Sequence, residues 1–181
     1  MSFTTEQLLE AVSFVARAHR HQLRKDLQTP YAAHPFRVCL VVRHVFGIDD
    51  PKVLAAALLH DTIEDTTTDY DDVVERYGPD VADWTAALTK DMRVREPERE
   101  AAYLAHLTAA PWPVAACKLA DIYDNMTDSK NLTAAGRAKQ VLRSRSYLNA
   151  MRANVPPEVA TAFALTEAKV NEVAATLSPE A

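Results

Sequence analysis

The chain has 181 residues, of which 48% are hydrophobic and 25% charged, with 20 Lys and Arg against 25 Asp and Glu. This size and composition suit one globular domain, and the net charge of -5 argues against a non-specific binder of nucleic acid or membranes, which needs a large basic field. The longest apolar run, 53–59, is too short to cross a bilayer, and the first residues lack the basic and apolar segments of a secretory signal, so we expect a cytoplasmic protein.

Helical periodicity dominates the chain, and its three glycines are fewer than a β-rich fold would need for turns. The spacing of Thr4 and Gln7 predicts a capping box at the start of the first helix, and Asp50 followed by Pro51 predicts the start of another. The predicted helices cover about 4–19, 34–46, 51–62, 70–77 and 79–90, then a segment that ends before 111, and finally 113–127, 134–151 and 157–177. Nine helices without strand alternation, repeats or a linker predict an all-α fold in a single domain spanning 1–181.

An adjacent histidine and aspartate, His60 and Asp61, lie at the end of the most apolar predicted helix. Burying an imidazole and a carboxylate there without partners would be costly, and a cation bound between them removes that cost. Adjacent side chains leave a helix about 100° apart, so both can reach one ion. Glu64 and Asp65 lie four residues after His60 and Asp61, which predicts a second acidic layer one turn beyond them.

Polar residues also interrupt the apolar seventh predicted helix. Lys118, Asp121 and Asn125 occur at positions i, i+3 and i+7, so they share one stripe. Such a stripe on a buried helix needs partners, which could be a metal ion, a phosphate or water. Asp121 could equally pair with Lys118 alone, and His60 alone could be a hydrogen-bonded core residue. His34, which starts a helix after a Pro-Tyr loop, adds a side chain suited to point into a cleft, and the combination is more specific than any one segment.

Two imidazoles and two carboxylates together provide a mixed nitrogen and oxygen ligand set for one divalent cation. The four predicted ligands are His34, His60, Asp61 and Asp121. With water completing the coordination, this set suits Mn²⁺, with Fe²⁺, Zn²⁺ or another divalent cation as alternatives, and it lacks the thiolates of a structural zinc site. A cation in such a site can activate water and polarise a phosphoryl oxygen, so we expect a metal-dependent phosphohydrolase.

The chain has two cysteines, Cys39 and Cys117, and neither has the spacing of a metal ligand. Both lie in apolar helical stretches. We therefore expect buried thiols in a reducing compartment, which agrees with the expected cytoplasmic location.

Four segments in a fixed order resemble a known family. They are Arg24-Lys25, Pro30-Tyr31-x-x-His34-Pro35, Leu58-Leu59-His60-Asp61-x-x-Glu64-Asp65 and Lys118-Leu119-Ala120-Asp121-x-x-x-Asn125. The pattern is similar to the HD hydrolase domain of the Rel/Spo homologues, enzymes that handle the alarmones ppGpp and pppGpp. The resemblance also includes Gly78-Pro79-Asp80-Val81 and Leu88-Thr89-Lys90. It implies an HD-type helical fold with a motif core over about 14–128, followed by C-terminal helices over about 134–177.

The resemblance implies a role for each matching residue. The four ligands would hold Mn²⁺, while Glu64 and Asp65 would position and deprotonate the attacking water. Arg24 would lie against the base and Lys25 near phosphate. Further substrate contacts are expected from Tyr31, Lys118 and Asn125. The implied reaction is hydrolysis of the 3′-pyrophosphate of (p)ppGpp to GDP or GTP and pyrophosphate, by a small stand-alone hydrolase whose partner is this nucleotide.

Two positions depart from the family pattern. Asp124 stands where the family often has histidine, and Asp26 stands near a position where it often has glycine. Extra carboxylates near a polyanion would change its affinity, so an alternative is an HD phosphohydrolase for another phosphorylated nucleotide. A second alternative is a non-catalytic nucleotide-binding regulatory module, although the presence of every predicted ligand and both acids argues against it. The sequence does not indicate the oligomeric state.

Overall fold

The computed structural model describes residues 3–177, and these residues form an all-α fold without a strand, as predicted. Nine of the ten helices within that range have eight residues or more, in agreement with the nine expected. They are α1 (Thr5–Ala18), α2 (Ala33–Leu40), α3 (Pro51–Leu59), the single turn α4 (Thr62–Asp65), α5 (Tyr70–Tyr77), α6 (Pro79–Leu88), α7 (Glu96–Thr108), α8 (Trp112–Thr127), α9 (Ala134–Arg152) and α10 (Ala160–Ala175). A π-helical turn at Val41–Val45 extends α2, and 3₁₀ turns follow α8 at Asp128–Asn131 and precede α10 at Pro157–Val159.

The predicted helix boundaries are confirmed where a specific cap forms. The side chain of Thr4 accepts the N–H of Gln7, and the side chain of Gln7 accepts the N–H of Thr4, which makes the predicted capping box of α1. Asp50 accepts the first backbone N–H groups of α3. Gly47 and Gly78 adopt positive φ angles of 72° and 85° where the chain leaves a helix, a conformation that glycine reaches without a steric penalty.

The prediction of one helix over 51–62 is wrong at its C-terminal end. Helix α3 ends at Leu59, and the separate turn α4 begins at Thr62. The hydroxyl of Thr62 donates to the carbonyl of Leu59 at 2.7 Å, so a side chain takes an acceptor that a continuous helix would pair with a backbone N–H. His60 and Asp61 therefore lie in the turn between two helices instead of on one helix.

Two helices form the centre of the core. Every residue from Val53 to Leu59 in α3 is buried, and so is every residue from Val114 to Ala120 in α8. Buried apolar surface contributes roughly 25 cal/mol per Å², so these two segments are a main source of stability. Helix α2 contacts both of them, and α10 packs against α8. Because α2, α3 and α8 meet, polar side chains on these elements are brought together in the middle of the molecule.

Both cysteines are free thiols. Cys117 is buried, as expected, whereas Cys39 is only half-buried. Burial raises the pKa of Cys39 to about 11, so this thiol stays protonated at neutral pH. None of the described helices combines the length and apolarity that crossing a membrane requires.

Candidate active site

Three of the predicted metal ligands come together in the middle of the fold. His34 lies in the first turn of α2, His60 directly after α3, and Asp121 within α8. One potential ligand atom from each lies within 4.8 Å of the others, and the two imidazoles are only 1% and 3% exposed. Three separate segments of the chain thus build a candidate site for a divalent cation.

The fourth predicted ligand, Asp61, lies beside the same imidazoles. Its Oδ2 atom is 3.0 Å from Nε2 of His60 and 3.5 Å from Nε2 of His34. The hydroxyl of Tyr31 donates to this oxygen at 2.6 Å. The structure therefore brings all four predicted ligands together, with Asp61 oriented by a residue from the loop before α2.

The orientation of the imidazoles suits a bound cation. Nδ1 of His60 lies 2.8 Å from the carbonyl oxygen of Ala57, which can only accept, so this nitrogen carries the proton and Nε2 offers a lone pair. That buried Nε2 makes no well-oriented hydrogen bond among the residues described, although Oδ2 of Asp61 lies 3.0 Å from it. His34 donates from Nδ1 to Asp124 at 2.7 Å, and its Nε2 faces Oδ1 of Asp121 at 3.2 Å. A cation between these acceptors removes their repulsion, so the residues fit a metal ion.

Asp121 is also held by residues of its own helix. Lys118 donates to Oδ2 of Asp121 at 2.9 Å, and the side chain of Asn125 donates to Oδ1. Burial opposes the charge of Lys118, but the attraction of Asp121 outweighs it and raises the pKa of the ammonium well above its ordinary value. The ion pair with Lys118 and the approach to His34, which the sequence left as alternatives, therefore occur together.

The two predicted catalytic acids lie on α4, next to this cluster. The backbone N–H of Lys90 donates to Oε2 of Glu64 at 2.8 Å, and the hydroxyl of Tyr31 lies 3.3 Å from Oδ2 of Asp65. Burial raises the pKa of Glu64, and burial together with the charge of Asp61 raises the pKa of Asp65. A carboxylate with a raised pKa accepts a proton more readily, so the arrangement can supply base catalysis.

A single cavity of about 480 Å³ is lined by every predicted site residue. This volume is in the range of small-molecule sites. Four acidic residues belong to the lining, and all of them lie in or beside the ligand cluster. Six basic residues complete it: Arg24, Lys25, Lys90, Lys118, Lys139 and Arg143. A concave surface with this charge favours a ligand with dense negative charge, although the whole protein is acidic.

The two basic residues of the loop before α2 differ in their surroundings. The guanidinium of Arg24 donates to Asp128 at 3.0 Å and to Asn125 at 3.1 Å, and it lies 5.5 Å from the ring centre of Tyr31. Lys25 is exposed at the cavity. Arg24 is thus fixed before any ligand binds, whereas the ammonium of Lys25 remains solvated.

Helix α9 contributes side chains to the cavity that the sequence did not predict. Lys139, Gln140, Arg143 and Tyr147 line the cavity from this helix. Lys139, Arg143 and Tyr147 follow one another at intervals of four residues, which puts them on one face. This spacing is the signal that could have revealed them, but it is equally typical of an ordinary solvent-facing helix.

The two carboxylates that motivated a different substrate do not reach the cavity. Asp124 is 2% exposed and binds His34 and Arg37. Asp26 accepts both the N–H and the hydroxyl of Thr29, which closes the turn of its own loop. Neither aspartate is among the described residues that line the cavity. Neither aspartate is therefore placed to contact a ligand in the cavity directly, and an effect on the affinity for a polyanion stays a prediction.

The fold and the site define an HD-type helical protein, with candidate histidine and aspartate ligands supplied by separate segments around one cavity. The model of the family described as HD domain matches residues 11–155, which is more than half of the chain. The chain therefore belongs to the HD-domain family.

Several proteins of known activity are similar to this chain. Guanosine-3′,5′-bis(diphosphate) 3′-pyrophosphohydrolase MESH1 of Xenopus tropicalis is 38% identical over 141 residues, which are 77% of this chain and 79% of that protein. The Homo sapiens protein of the same name is 39% identical over 137 residues, 75% of this chain and 76% of its own length. A solved structure, described as a metazoan ortholog of SpoT that hydrolyzes ppGpp and plays a role in starvation responses, matches with a TM-score of 0.82 at 27% identity and covers 97% of this chain and 98% of its own.

Proposed function

We propose that this protein hydrolyses the 3′-pyrophosphate of (p)ppGpp and releases GDP or GTP together with pyrophosphate. The observation that carries the proposal is the shared cavity, which combines the histidine and aspartate cluster, two acids with raised pKa values and six basic side chains. Relatives that are 38% and 39% identical are named for this activity, which supports the same substrate for this chain.

The proposed cofactor is Mn²⁺, held by His34, His60, Asp61 and Asp121. Two imidazole nitrogens with carboxylate oxygens suit this ion, while Fe²⁺ and Zn²⁺ are the alternatives to be compared with it. A bound divalent cation supplies a Lewis acid for the phosphoryl group and makes water easier to deprotonate.

In the proposed reaction, Glu64 and Asp65 orient the attacking water and take its proton. The water oxygen bonds to the phosphorus beside the ribose 3′-oxygen, the bond between that phosphorus and the 3′-oxygen breaks, and a proton ends on the 3′-oxygen. The hydroxyl of Tyr31, which donates to Asp61, lies 3.3 Å from Oδ2 of Asp65, and the backbone N–H of Lys90 holds Glu64. The raised pKa of Glu64 suits it to this role as a base.

Basic side chains are proposed to recognise the rest of the nucleotide. The planar guanidinium of Arg24, fixed by Asp128 and Asn125, can stack on the base. Lys25 is assigned to phosphate, and Lys118 and Asn125 are assigned to the ribose or a phosphate. The proposed location is the cytoplasm, where free thiols stay reduced.

The direct test is to incubate metal-stripped protein with ppGpp, with and without added Mn²⁺, and to quantify GDP and pyrophosphate. We expect equal amounts of both products, formed only with metal, and none from the Asp61→Ala variant. Parallel reactions with Fe²⁺ and Zn²⁺ identify the preferred ion. Parallel reactions with nucleoside monophosphates, GDP and a dinucleotide identify the substrate. Turnover of one of these without turnover of ppGpp would refute the proposed substrate, and binding of ppGpp without any product would refute catalysis.

A further inference from the structure

A network of charged residues lies behind the ligand His34. Asp124, which is 2% exposed, accepts the Nδ1 proton of His34 at 2.7 Å. Arg37 grips the same carboxylate with two hydrogen bonds, at 2.6 Å and 3.0 Å. Arg37 also lies 3.3 Å from Asp128, which in turn binds Arg24 at 3.0 Å. The network therefore runs from the candidate metal site to the arginine assigned to the nucleotide.

The hydrogen bond from His34 to Asp124 decides what the imidazole offers to the metal site. A carboxylate can only accept, so it keeps the proton of a neutral imidazole on Nδ1 and leaves the lone pair on Nε2. The same bond fixes the rotation of the ring, so that Nε2 stays directed at Asp121, 3.2 Å away. An imidazole without this partner could carry its proton on either nitrogen and could turn away.

Arg37 stabilises the charge of Asp124 in its buried position. Burying a carboxylate that is 98% removed from solvent, with the imidazole of His34 as its one other partner, is costly, and two charge-assisted hydrogen bonds from Arg37 compensate for that cost. The side chain of Arg37 is 36% exposed and its described hydrogen bonds go to Asp124. The described polar contacts of Arg37 go to Asp124 and Asp128 and not to His34, so its polar connection to His34 runs through Asp124.

We propose that Asp124 and Arg37 are positioning residues of the metal site, which hold His34 in the tautomer and direction that bind a divalent cation. The proposal rests on the metal site of the proposed function and adds two residues to it. Arg37 lies on α2 and Asp124 on α8, so the pair also ties together the two helices that carry His34 and Asp121.

The test measures the affinity of the metal-stripped protein for Mn²⁺, by competition with a chromophoric chelator, and the thermal unfolding midpoint without metal. Asp124→Asn keeps the shape of the side chain and is expected to weaken Mn²⁺ binding about 10- to 100-fold, the usual effect of losing a partner behind a ligand histidine. Arg37→Met is expected to weaken it less, and Arg37→Lys less again because one donor remains. The matched control is Asp80→Asn, which breaks an ion pair with Lys52 away from the cavity and should leave Mn²⁺ affinity unchanged.

The double variant Arg37→Met with Asp124→Asn tests the order of action. If Arg37 works through Asp124, the double variant binds Mn²⁺ as weakly as Asp124→Asn alone. A loss equal to the product of the two single losses would overturn that order.

The outcomes separate this inference from the proposed function. Wild-type protein that binds no divalent cation would refute the metal site itself. Wild-type binding with equally tight binding by Asp124→Asn and Arg37→Met, even with lowered unfolding midpoints, would refute positioning and leave the metal site standing. Should Asp124→Asn fail to fold, Arg37→Met decides alone: weaker binding that Arg37→Lys partly restores supports the proposal, and unchanged binding overturns it.

Discussion

Two walls of the cavity consist of different kinds of residue. The ligand wall consists of His34, His60, Asp61 and Asp121, and the α9 wall consists of Lys139, Gln140, Arg143 and Tyr147. Both imidazoles of the ligand wall are buried, whereas Arg143 of the α9 wall is 44% exposed. The ligand wall was predicted from the sequence, and the α9 wall was not.

The difference between the two walls shows which functional residues can be recognised from the sequence. A buried imidazole or carboxylate carries a large desolvation cost. Its presence beside an apolar helix such as α3 therefore predicts a partner, such as a metal ion. A lysine or arginine on an exposed helix face costs little, and nothing in its spacing separates a ligand contact from a solvated charge. We therefore assign chemistry to the ligand wall and affinity to the α9 wall, and the following predictions test that division.

The largest effect is expected on the ligand wall. His60→Ala removes one proposed nitrogen ligand, Nε2, and should abolish metal binding and turnover together. Asp121→Ala should do the same, with an added loss of stability, because it leaves Lys118 buried without its carboxylate. Metal content after dialysis and pyrophosphate release from ppGpp measure both effects. Retention of metal and turnover by His60→Ala would remove it from the ligand set.

Replacing the proposed base should separate turnover from metal binding. Glu64→Gln keeps an acceptor for the N–H of Lys90 but cannot take a proton, so kcat should fall about 10²- to 10⁴-fold while Mn²⁺ stays bound. The matched control is Glu75→Gln, an exposed residue of α5 that does not line the cavity. A variant with full kcat would show that Glu64 is not the base.

Removing a charge from the α9 wall should change affinity alone. Arg143→Ala is expected to raise KM and to lower kcat/KM about tenfold, since a charge-assisted hydrogen bond contributes about 1.5–3 kcal/mol and this exposed side chain is at the lower end. The control is Arg145→Ala on the same helix, which does not line the cavity. Loss of metal, or an equal loss in kcat, in Arg143→Ala would contradict the separation of the two walls.

Local signals predicted most of the fold. The capping box of Thr4 and Gln7 and the Asp50 cap were read correctly because each depends on residues only a few positions apart. The end of α3 was not, because the periodicity continues past Leu59 while the hydroxyl of Thr62 competes for its carbonyl.

Partners that are distant in sequence could not be read in the same way. Asp124 was interpreted as an extra carboxylate that would change the affinity for a polyanion, and its binding to Arg37, 87 positions earlier, was not predicted. The residues that surround Asp124 in the sequence do not indicate that partner, because the two side chains meet only when α2 packs on α8. The four proposed ligands were easier to find, because one metal site explains how several residues that are costly to bury find a partner.

The smallest predicted effect concerns the stability cost of ionising Glu64, which lies next to the ligand wall. Burial raises the pKa of Glu64 above its ordinary value of 4.5, so ionising this group is harder in the folded than in the unfolded metal-free protein. Its contribution to stability is therefore present below the unfolded pKa and is lost as the pH rises through the folded pKa. Glu64→Gln has no such group to ionise, and it should unfold at a slightly higher temperature than wild type at pH 7.

Thermal unfolding of the metal-free proteins at neutral pH and at a pH well below 4.5 measures this difference. It should disappear at the lower pH, because Glu64 is then protonated in both the folded and the unfolded state. Arg143→Ala, on the α9 wall, should show no gain that depends on pH in this way. If the unfolding temperature of Glu64→Gln exceeded that of wild type by the same amount at both pH values, the increase would arise from packing. Ionising Glu64 would then not destabilise the folded protein.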